Sequence, residues 1–265
     1  MKYLIVLIML SLPVSSSGTG HEIIIYVDDA YKPYSYQSNG RAEGIYIDVL
    51  RAAFAKMQNF KVKLLPVPWK RGKQLMKLGK GVGLTPAFFH GHDWPYLYPY
   101  SLPFYTETII VVCTERVLQQ PRPNWPQDYK DLVIGNVAGF DGWGGQEFRE
   151  LVERGEIIYR EVGNPRALIG MLAKKRHDCI MMETRAFDYH LSKIQASKDT
   201  ITNLYSKLKK GTLIGNDPVY IGYSETAIKS GQYPQSYAFR KAFDAIIYQM
   251  LKSGEVERIM DAFKD

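Results

Sequence analysis

The chain reads EIIIYVDDAYKPYSYQSNGRAEGIYIDVLRAAFAKMQNFKVKLLPV at residues 22–67, and this stretch decides the fold class. Its two ends, Ile23–Val27 and Val62–Val67, are short apolar runs typical of buried strands. Between these runs, apolar side chains recur at helical spacing at Ile47, Leu50, Phe54 and Met57. A strand, a helix and a second strand in this order predict a βαβ unit of a parallel sheet.

The same alternation continues along the rest of the chain. Further strands are predicted at Thr108–Cys113, Leu132–Val137, Cys179–Met182 and Val219–Tyr223, and helices at Lys70–Leu78, at Gln146–Glu153 and from Asn164 to Lys174. The proline-rich connector at residues 120–126 separates two series, because proline fits neither a helix interior nor a central strand. An apolar stripe from Phe239 to Phe263 is expected to pack on the first series. We therefore predict an α/β protein with lobe 1 at 21–113 plus 216–265, lobe 2 at 114–215, and a two-segment hinge.

The N-terminus has the pattern of a secretory signal peptide over residues 1–20. Lys2 precedes an apolar run, Tyr3–Leu12, and small polar residues follow Pro13. The run is too short to span a bilayer, so no membrane insertion is predicted. Because no cysteine lies near the expected cleavage point, we predict a periplasmic protein without a lipid anchor. Cys113 and Cys179 either form a disulfide or remain buried free thiols.

Composition and motifs exclude several functional classes. The 46% apolar content excludes a disordered chain, and loss of Lys2 with the signal peptide lowers the formal net charge from +7 to +6. The basic residues are spread along the chain, which predicts no nucleic-acid partner and a solvated basic surface that favours anionic partners. The glycine-rich turn at 139–145 lacks a dinucleotide fingerprint, and His90-Gly91-His92-Asp93 is interpreted as a solvated loop, so neither a cofactor nor a metal is predicted.

Several segments together resemble a known family. They are Tyr31-Lys32-Pro33-Tyr34-Ser35-Tyr36, Gly44-Ile45-Tyr46-Ile47-Asp48-Val49-Leu50, Pro68-Trp69-Lys70-Arg71 and Pro99-Tyr100-Ser101-Leu102-Pro103-Phe104-Tyr105. Their order is similar to that of the extracellular solute-binding proteins of family 3, which serve polar amino-acid ABC transporters. The resemblance implies a type II periplasmic-binding fold with a ligand in the cleft between two lobes.

The resemblance also implies which residues contact the ligand. In lobe 1 they are Tyr31, Tyr34, Trp69, Arg71, Thr85, Ala87, Phe88 and Trp94, and in lobe 2 they are Gly139, Phe140, Trp143 and Glu183. The glycine-rich turn would offer backbone N–H groups to an anion, and Glu183 would accept the ammonium group. For these residues the alternative is ordinary packing or, for Glu183, a solvated strand end. The family's usual carboxylate-binding arginine is missing, because no arginine occurs between Arg71 and Arg116; Arg71, His90, His92 or Trp94 are the possible substitutes.

The sequence therefore predicts a monomeric periplasmic protein that captures a small polar ligand, an amino acid or a related compound, and catalyses nothing. Its closed form would be presented to an ABC transporter permease or to a membrane sensor. One alternative is an enzyme on the same fold, dehydratase-like or lyase-like, with Glu183 or Glu107 as the acid. Another is a protein that has lost its ligand and acts through protein contacts, which the missing arginine and Val82, where relatives often have aspartate, keep open.

Overall fold

The computed structural model describes residues 22–89, 94–140, 142–196 and 205–263. The predicted signal peptide at residues 1–20 lies outside the described residues, as do His90 and His92. Among the helices that are described, none is both long enough and apolar enough to cross a bilayer.

Strands and helices alternate as the sequence pattern predicts. The strands are β1 (Glu22–Asp28), β2 (Ala30–Tyr31), β3 (Ser35–Ser38), β4 (Arg41–Glu43), β5 (Lys61–Val67), β6 (Gly83–Ala87), β7 (Leu97–Tyr100), β8 (Tyr105–Thr114), β9 (Val133–Val137), β10 (Ile158–Val162), β11 (Cys179–Glu183) and β12 (Leu208–Ser224). The α-helices are α1 (Ile45–Ala55), α2 (Trp69–Lys77), α3 (Gly145–Glu153), α4 (Pro165–Ala173), α5 (Thr184–Ala196), α6 (Glu225–Lys229), α7 (Ser236–Lys252) and α8 (Glu255–Ala262).

The first lobe is built on the predicted βαβ unit. Strand β1 pairs in parallel with both β5 and β6, with Ile25 opposite Leu64 and Gly83. Helices α7 and α8 cover this sheet with the predicted apolar stripe, and Phe239, Phe243 and Met260 belong to the same hydrophobic cluster as β1. The C-terminal helices therefore complete the first lobe, which is discontinuous in sequence.

A backbone junction at the start of α1 fixes the loop that follows β1. The amide N–H groups of Ile45 and Tyr46 donate to the carbonyl oxygens of Pro33 and Tyr34, at 3.1 and 2.9 Å. These two N–H groups lie in the first turn of the helix, where no intrahelical acceptor exists. Gly44 has φ +121°, and a Cβ there would lie 2.5 Å from the Tyr34 carbonyl oxygen. Glycine at this position therefore allows the aromatic loop to lie against the helix end.

The second lobe is a sheet with a core on each face. Strands β10, β9, β11 and β8 are adjacent in that order, and β8 shows the alternation expected of a strand buried on both sides. Ile109, Val111 and Cys113 belong to one hydrophobic cluster, whereas Ile110 and Val112 belong to the other. Asn164 caps α4, since its Oδ1 accepts a hydrogen bond from the Ala167 N–H at 2.9 Å, as its position before Pro165 predicts.

Two long strands connect the lobes. Residues 208–219 of β12 pair with β8 in the second lobe, and residues 220–224 pair with β6 and β7 in the first. The hydrophobic cluster of the first lobe gives way to that of the second near residues 105–108 of β8 and 217–219 of β12, where the two strands pair with each other. The lobe limits predicted at residues 113 and 216 stay a proposal. Because the hinge consists of two paired strands, rotation of one lobe relative to the other is the easiest motion of this fold.

The two cysteines lie opposite each other on the antiparallel strands β8 and β11 and form a disulfide, Cys113–Cys179, that closes a sequence separation of 66 residues. This register answers whether the two cysteines pair or stay free thiols, which the sequence left open. We expect the double variant Cys113→Ala/Cys179→Ala to lose about 2–4 kcal/mol of unfolding free energy, because the unfolded chain gains the freedom of an uncrosslinked loop.

The measurement is urea denaturation of the wild type and the variant, each with and without a reducing agent. Reduced wild type retains both sulfur atoms and so separates the loss of the crosslink from the loss of core volume. Equal stabilities of oxidised and reduced wild type would contradict the stabilising role of the bond.

Candidate functional site

The cleft between the lobes is the candidate site. On the first lobe its wall is the loop after β1 and the first turn of α2. On the second lobe its wall is the turn after β9, the start of α4, and one face of α5 around His190. Because β1 and β9 run parallel to their neighbours, both turns lie at the carboxyl ends of parallel strands, where α/β folds place their ligands.

A buried carboxyl occupies the base of the cleft. Glu107, on the crossover strand β8, accepts hydrogen bonds from the Tyr31 hydroxyl at 2.9 Å and the Tyr46 hydroxyl at 2.7 Å. Its side chain is fully buried, and this burial, followed by the nearby carboxyl of Glu183, raises its pKa well above the ordinary value. The two tyrosine hydrogen bonds act in the opposite direction. Burial and the neighbouring acid therefore favour the protonated form of Glu107.

Aromatic rings close the cleft above this carboxyl. Tyr34 stacks on Tyr46 with ring centroids 4.4 Å apart and lies 5.3 Å from the ring of Tyr31. Tyr31 in turn meets Phe140 of the second lobe edge to face at 5.2 Å. Phe140 packs against the hydrophobic clusters of both lobes. In this conformation Tyr31 and Phe140 fill the centre of the cleft with their own side chains.

Glu183, the predicted ammonium acceptor, lies at the end of β11 with a 2% exposed side chain. Its Oε2 accepts a hydrogen bond from the Ala186 N–H at 2.7 Å, so the carboxyl caps the first turn of α5. Burial raises its pKa, while the backbone N–H groups of Ala186 and Arg185 act to lower it. The assigned role remains a prediction.

Polar contacts also join the two lobes at the glycine-rich turn. The Gly139 carbonyl oxygen accepts hydrogen bonds from Trp69 Nε1 at 3.1 Å and from Lys73 Nζ at 3.0 Å. Lys70 forms an ion pair with Glu161 at 3.6 Å, and Glu161 also accepts from the Gly139 N–H at 3.0 Å. The turn thus contacts α2 through the Gly139 carbonyl oxygen, while the Gly139 N–H faces a carboxylate of its own lobe.

The other predicted site residues are divided between the cleft wall, the interior and the surface. Trp94 packs on Trp69 at 5.9 Å and lies beneath Lys73 at 4.8 Å. Thr85, Ala87 and Phe88 are buried in or next to β6, where the Thr85 hydroxyl donates to the Tyr220 carbonyl oxygen, and Trp143 is buried in the second-lobe core. The structure does not bring Arg71 to the cleft, because it lies on the exposed face of α2 and donates to Gln74 Oε1.

Two adjoining cavities remain between the lobes beside the filled centre. One, of about 240 Å³, is lined by residues that include Asp28, Trp69, Lys70 and Phe140. The other, of about 450 Å³, lies between the loop after β1 and helices α4 and α5. Both cavities share Asp29, Ala30 and Pro165, so they form one continuous groove along the boundary of the lobes.

Asp28 is a site residue that the sequence interpretation missed. It ends β1, is 3% exposed, and accepts a hydrogen bond at Oδ1 from the Ala30 N–H at 2.8 Å. Burial raises its pKa to about 7, with a further increase from Asp29 and a partial decrease from the Ala30 hydrogen bond. The sequence indicates Glu107 only as the acid of the alternative enzyme, and it places Tyr46 in a segment of the resemblance without a contact of its own. A carboxyl inside an otherwise apolar strand, as in Glu107-Thr108-Ile109-Ile110, is the signal that points to such a buried site.

Residues 23–82 match the family model of bacterial extracellular solute-binding proteins, family 3. The search among curated proteins returned no match. The resemblance inferred from the sequence is confirmed by this match over part of the chain.

Solved structures match most of the chain at low identity. A structure from work on glutathione import via GshT and the cystine ABC importer TcyBC of Streptococcus mutans is 14% identical, with 91% of this chain and 93% of that chain covered and a TM-score of 0.69. A histidine kinase sensor domain with similarity to periplasmic binding proteins is 15% identical, with 91% and 94% covered and a TM-score of 0.67. The ancestral amino acid-binding protein AncCDT-1, a precursor of cyclohexadienyl dehydratase, is 16% identical, with 91% and 94% covered and a TM-score of 0.66. These likenesses confirm the predicted two-lobed type II periplasmic-binding fold.

The buried Asp28 makes stability depend on pH. Because its pKa is higher in the folded protein than in the unfolded chain, the folded state holds the extra proton, and unfolding free energy falls as pH rises from about 4 to about 7. We expect Asp28→Asn, which keeps Oδ1 as an acceptor, to remove part of this fall, on the order of 4 kcal/mol at most.

Urea denaturation at pH 4.5, 6 and 7.5 measures the effect. Asp131→Asn is the matched control, since Asp131 is exposed and asparagine also adopts its positive φ of 63°. Parallel pH profiles for wild type and Asp28→Asn would show that this carboxyl is not the cause.

Proposed function

We propose that the protein is a solute-binding protein that captures a small polar ligand between its lobes and passes the closed form to a membrane partner. The observation that carries the proposal is the cleft itself: two separately cored lobes, two connecting strands, and a solvent-open groove between them. Ligand contacts to both lobes exist only when the lobes meet, so a ligand in this groove stabilises the closed form.

The contacts between the lobes suit reversible closure. Phe140 and Tyr31 form an aromatic contact between the lobes, and the Gly139 carbonyl oxygen accepts two hydrogen bonds from side chains of α2. The ion pair between Lys70 and Glu161 has both side chains partly exposed and contributes little. Contacts of this kind resemble a transient interface, which opens more easily than a core.

The similar structures indicate two classes of membrane partner. One similar structure comes from work on an ABC importer and another is a histidine kinase sensor domain, so both a transporter permease and a sensor remain candidates. Periplasmic location, through the predicted signal peptide at residues 1–20 without lipid attachment, and a monomeric state belong to this proposal. An amino acid or a related compound is the proposed class of ligand.

An enzyme on the same fold is the second candidate, favoured by the likeness to the dehydratase precursor. The acids with raised pKa values, Glu107 and Glu183, are suitable general acids in principle. In this conformation, however, Glu107 is occupied by two tyrosine hydroxyls and Glu183 by a helix cap. We therefore place binding before catalysis.

Ligand capture is tested by isothermal titration with amino acids, polyamines, peptides and organic acids, together with small-angle scattering. We expect Phe140→Ala to enlarge the radius of gyration of the ligand-free protein, because the aromatic contact between the lobes is lost, and a ligand to reduce it again. Phe89→Ala, at a 62% exposed phenylalanine, is the control and should leave scattering unchanged.

If folded wild type and Phe140→Ala both bind no member of the panel, the proposal is wrong and an action through protein contacts is favoured. Mass spectrometry of the recovered ligand separates the enzyme from the binding protein, since turnover that is lost in Glu183→Gln supports catalysis.

A further inference from the structure

The larger cavity between the lobes is distinct from the site that the family resemblance implies. It has a volume of about 450 Å³, and none of the residues assigned to the ligand from that resemblance lines it. Its first-lobe wall is the loop from Asp29 to Tyr36, and its second-lobe wall is formed by the start of α4 and one face of α5.

Positive charge from both lobes surrounds this cavity. Lys32 comes from the first lobe, and Arg166 and Lys193 come from the second, whereas Asp29 is the one carboxylate among the lining residues that the structure describes. Within the described part of the chain, none of these three basic side chains forms an ion pair. Lys32 and Lys193 instead lie over the rings of Tyr36 and Tyr189, at 4.7 and 5.5 Å, which leaves their charges uncompensated.

The start of α4 adds to this positive potential. Asn164 and Pro165 line the cavity at the first turn, where the helix dipole favours an anion. The capping hydrogen bond to the Ala167 N–H leaves the Arg166 N–H, which has no intrahelical acceptor, at the same end of the helix.

A buried histidine provides independent evidence for a ligand. His190 lines the same cavity, is 8% exposed, and its Nε2 atom has no hydrogen-bond partner in the described residues. A buried polar atom without a partner is costly, so a group that pairs with it is expected. Lys32 and Arg166 line the same cavity as His190, and burial, followed by their charges, lowers the pKa of His190 to about 4.

We propose that this cavity binds the carboxylate or phosphate group of a small anionic ligand, held by Lys32, Arg166, Lys193 and His190. The inference rests on the proposed function and names the chemical class of its ligand. Without an anion, the basic groups of the two lobes repel each other across the groove. With an anion, each lobe gains charge-assisted hydrogen bonds to the same group, so the ligand binds the closed form more tightly than the open one.

The test is isothermal titration of the full chain with inorganic phosphate and, separately, with citrate, at pH 7.5 and low ionic strength. We expect at least one of the two probes to bind and Arg166→Gln or Lys193→Gln to weaken it about tenfold, the effect of one charge-assisted hydrogen bond. Lys241→Gln removes the same charge from an exposed position on α7 and should change affinity less than about twofold. Preference for phosphate or for citrate identifies which anionic group the ligand carries.

A second arm uses inorganic sulfate, whose charge is constant between pH 5 and 7.5. A bound anion favours protonated His190, so affinity should rise as pH falls, and His190→Gln should reduce that rise. Asp29 lines this cavity and Asp28, whose pKa is raised to about 7, lines the adjoining one. Both carboxyls are retained in His190→Gln, so the remaining pH dependence belongs to them.

The outcomes separate this inference from the proposed function. If neither probe binds, or if Lys241→Gln weakens binding as much as Arg166→Gln, the anion site is wrong. A zwitterionic or uncharged ligand that closes the lobes equally well in wild type, Arg166→Gln and Lys193→Gln also refutes the anion site and leaves the proposed function intact. A folded protein that closes on no ligand at all refutes both.

Discussion

The hydrogen bonds that hold the buried carboxyl of Glu107 organise the region where the lobes join. A carboxyl without water or donors is unstable in an apolar interior, and Tyr31 and Tyr46 supply the donors. Tyr31 belongs to the loop after β1, and Tyr46 to the first turn of α1. Glu107 itself lies on β8, opposite Asp217 of β12. The same carboxyl therefore ties the aromatic loop of the first lobe to the two strands that act as the hinge.

This arrangement explains why the cleft centre is aromatic and its margins are polar. Tyr31 is held by Glu107, so its ring stands where Phe140 of the second lobe can pack against it. Around this contact the lobes meet through hydrogen bonds of Trp69, Lys73 and Arg185 and through two exposed ion pairs. Apart from Ala186 and Phe140, which also pack on the first-lobe cluster, the second lobe has its own hydrophobic clusters. Because aromatic rings fill the centre of the cleft, the lobes can close without a continuous hydrophobic interface. The space that remains for a ligand lies between the loop after β1 and helices α4 and α5.

The order of elements could be predicted from the sequence because strong local signals carry it. The apolar run of β8 and the Asn164-Pro165 start of α4 are examples. Strand β6 was missed, because Gly83-Leu84-Thr85-Pro86-Ala87 is short and contains a proline. The resemblance predicts Arg71 in the cleft as a substitute for the missing arginine, but Trp69 and Lys73 share one face of α2 at i and i+4 spacing. Arg71, two positions after Trp69, therefore points elsewhere. Long-range contacts such as Tyr31 with Glu107 have no local signal at all.

The absence of the family's carboxylate-binding arginine is consistent with this geometry. At the position opposite Trp69 the space is filled by Trp94, and Lys73 is engaged by the Gly139 carbonyl oxygen and the Trp94 ring. An arginine there would need an anion in a region that aromatic side chains now occupy. The unpaired basic groups lie instead around the cavity beside α4 and α5, where Lys32 faces Arg166 and Lys193 across the groove. In a structure whose centre is filled, a charged ligand has to be recognised where solvent still reaches both lobes, and Lys32, Arg166 and Lys193 supply positive charge at that position.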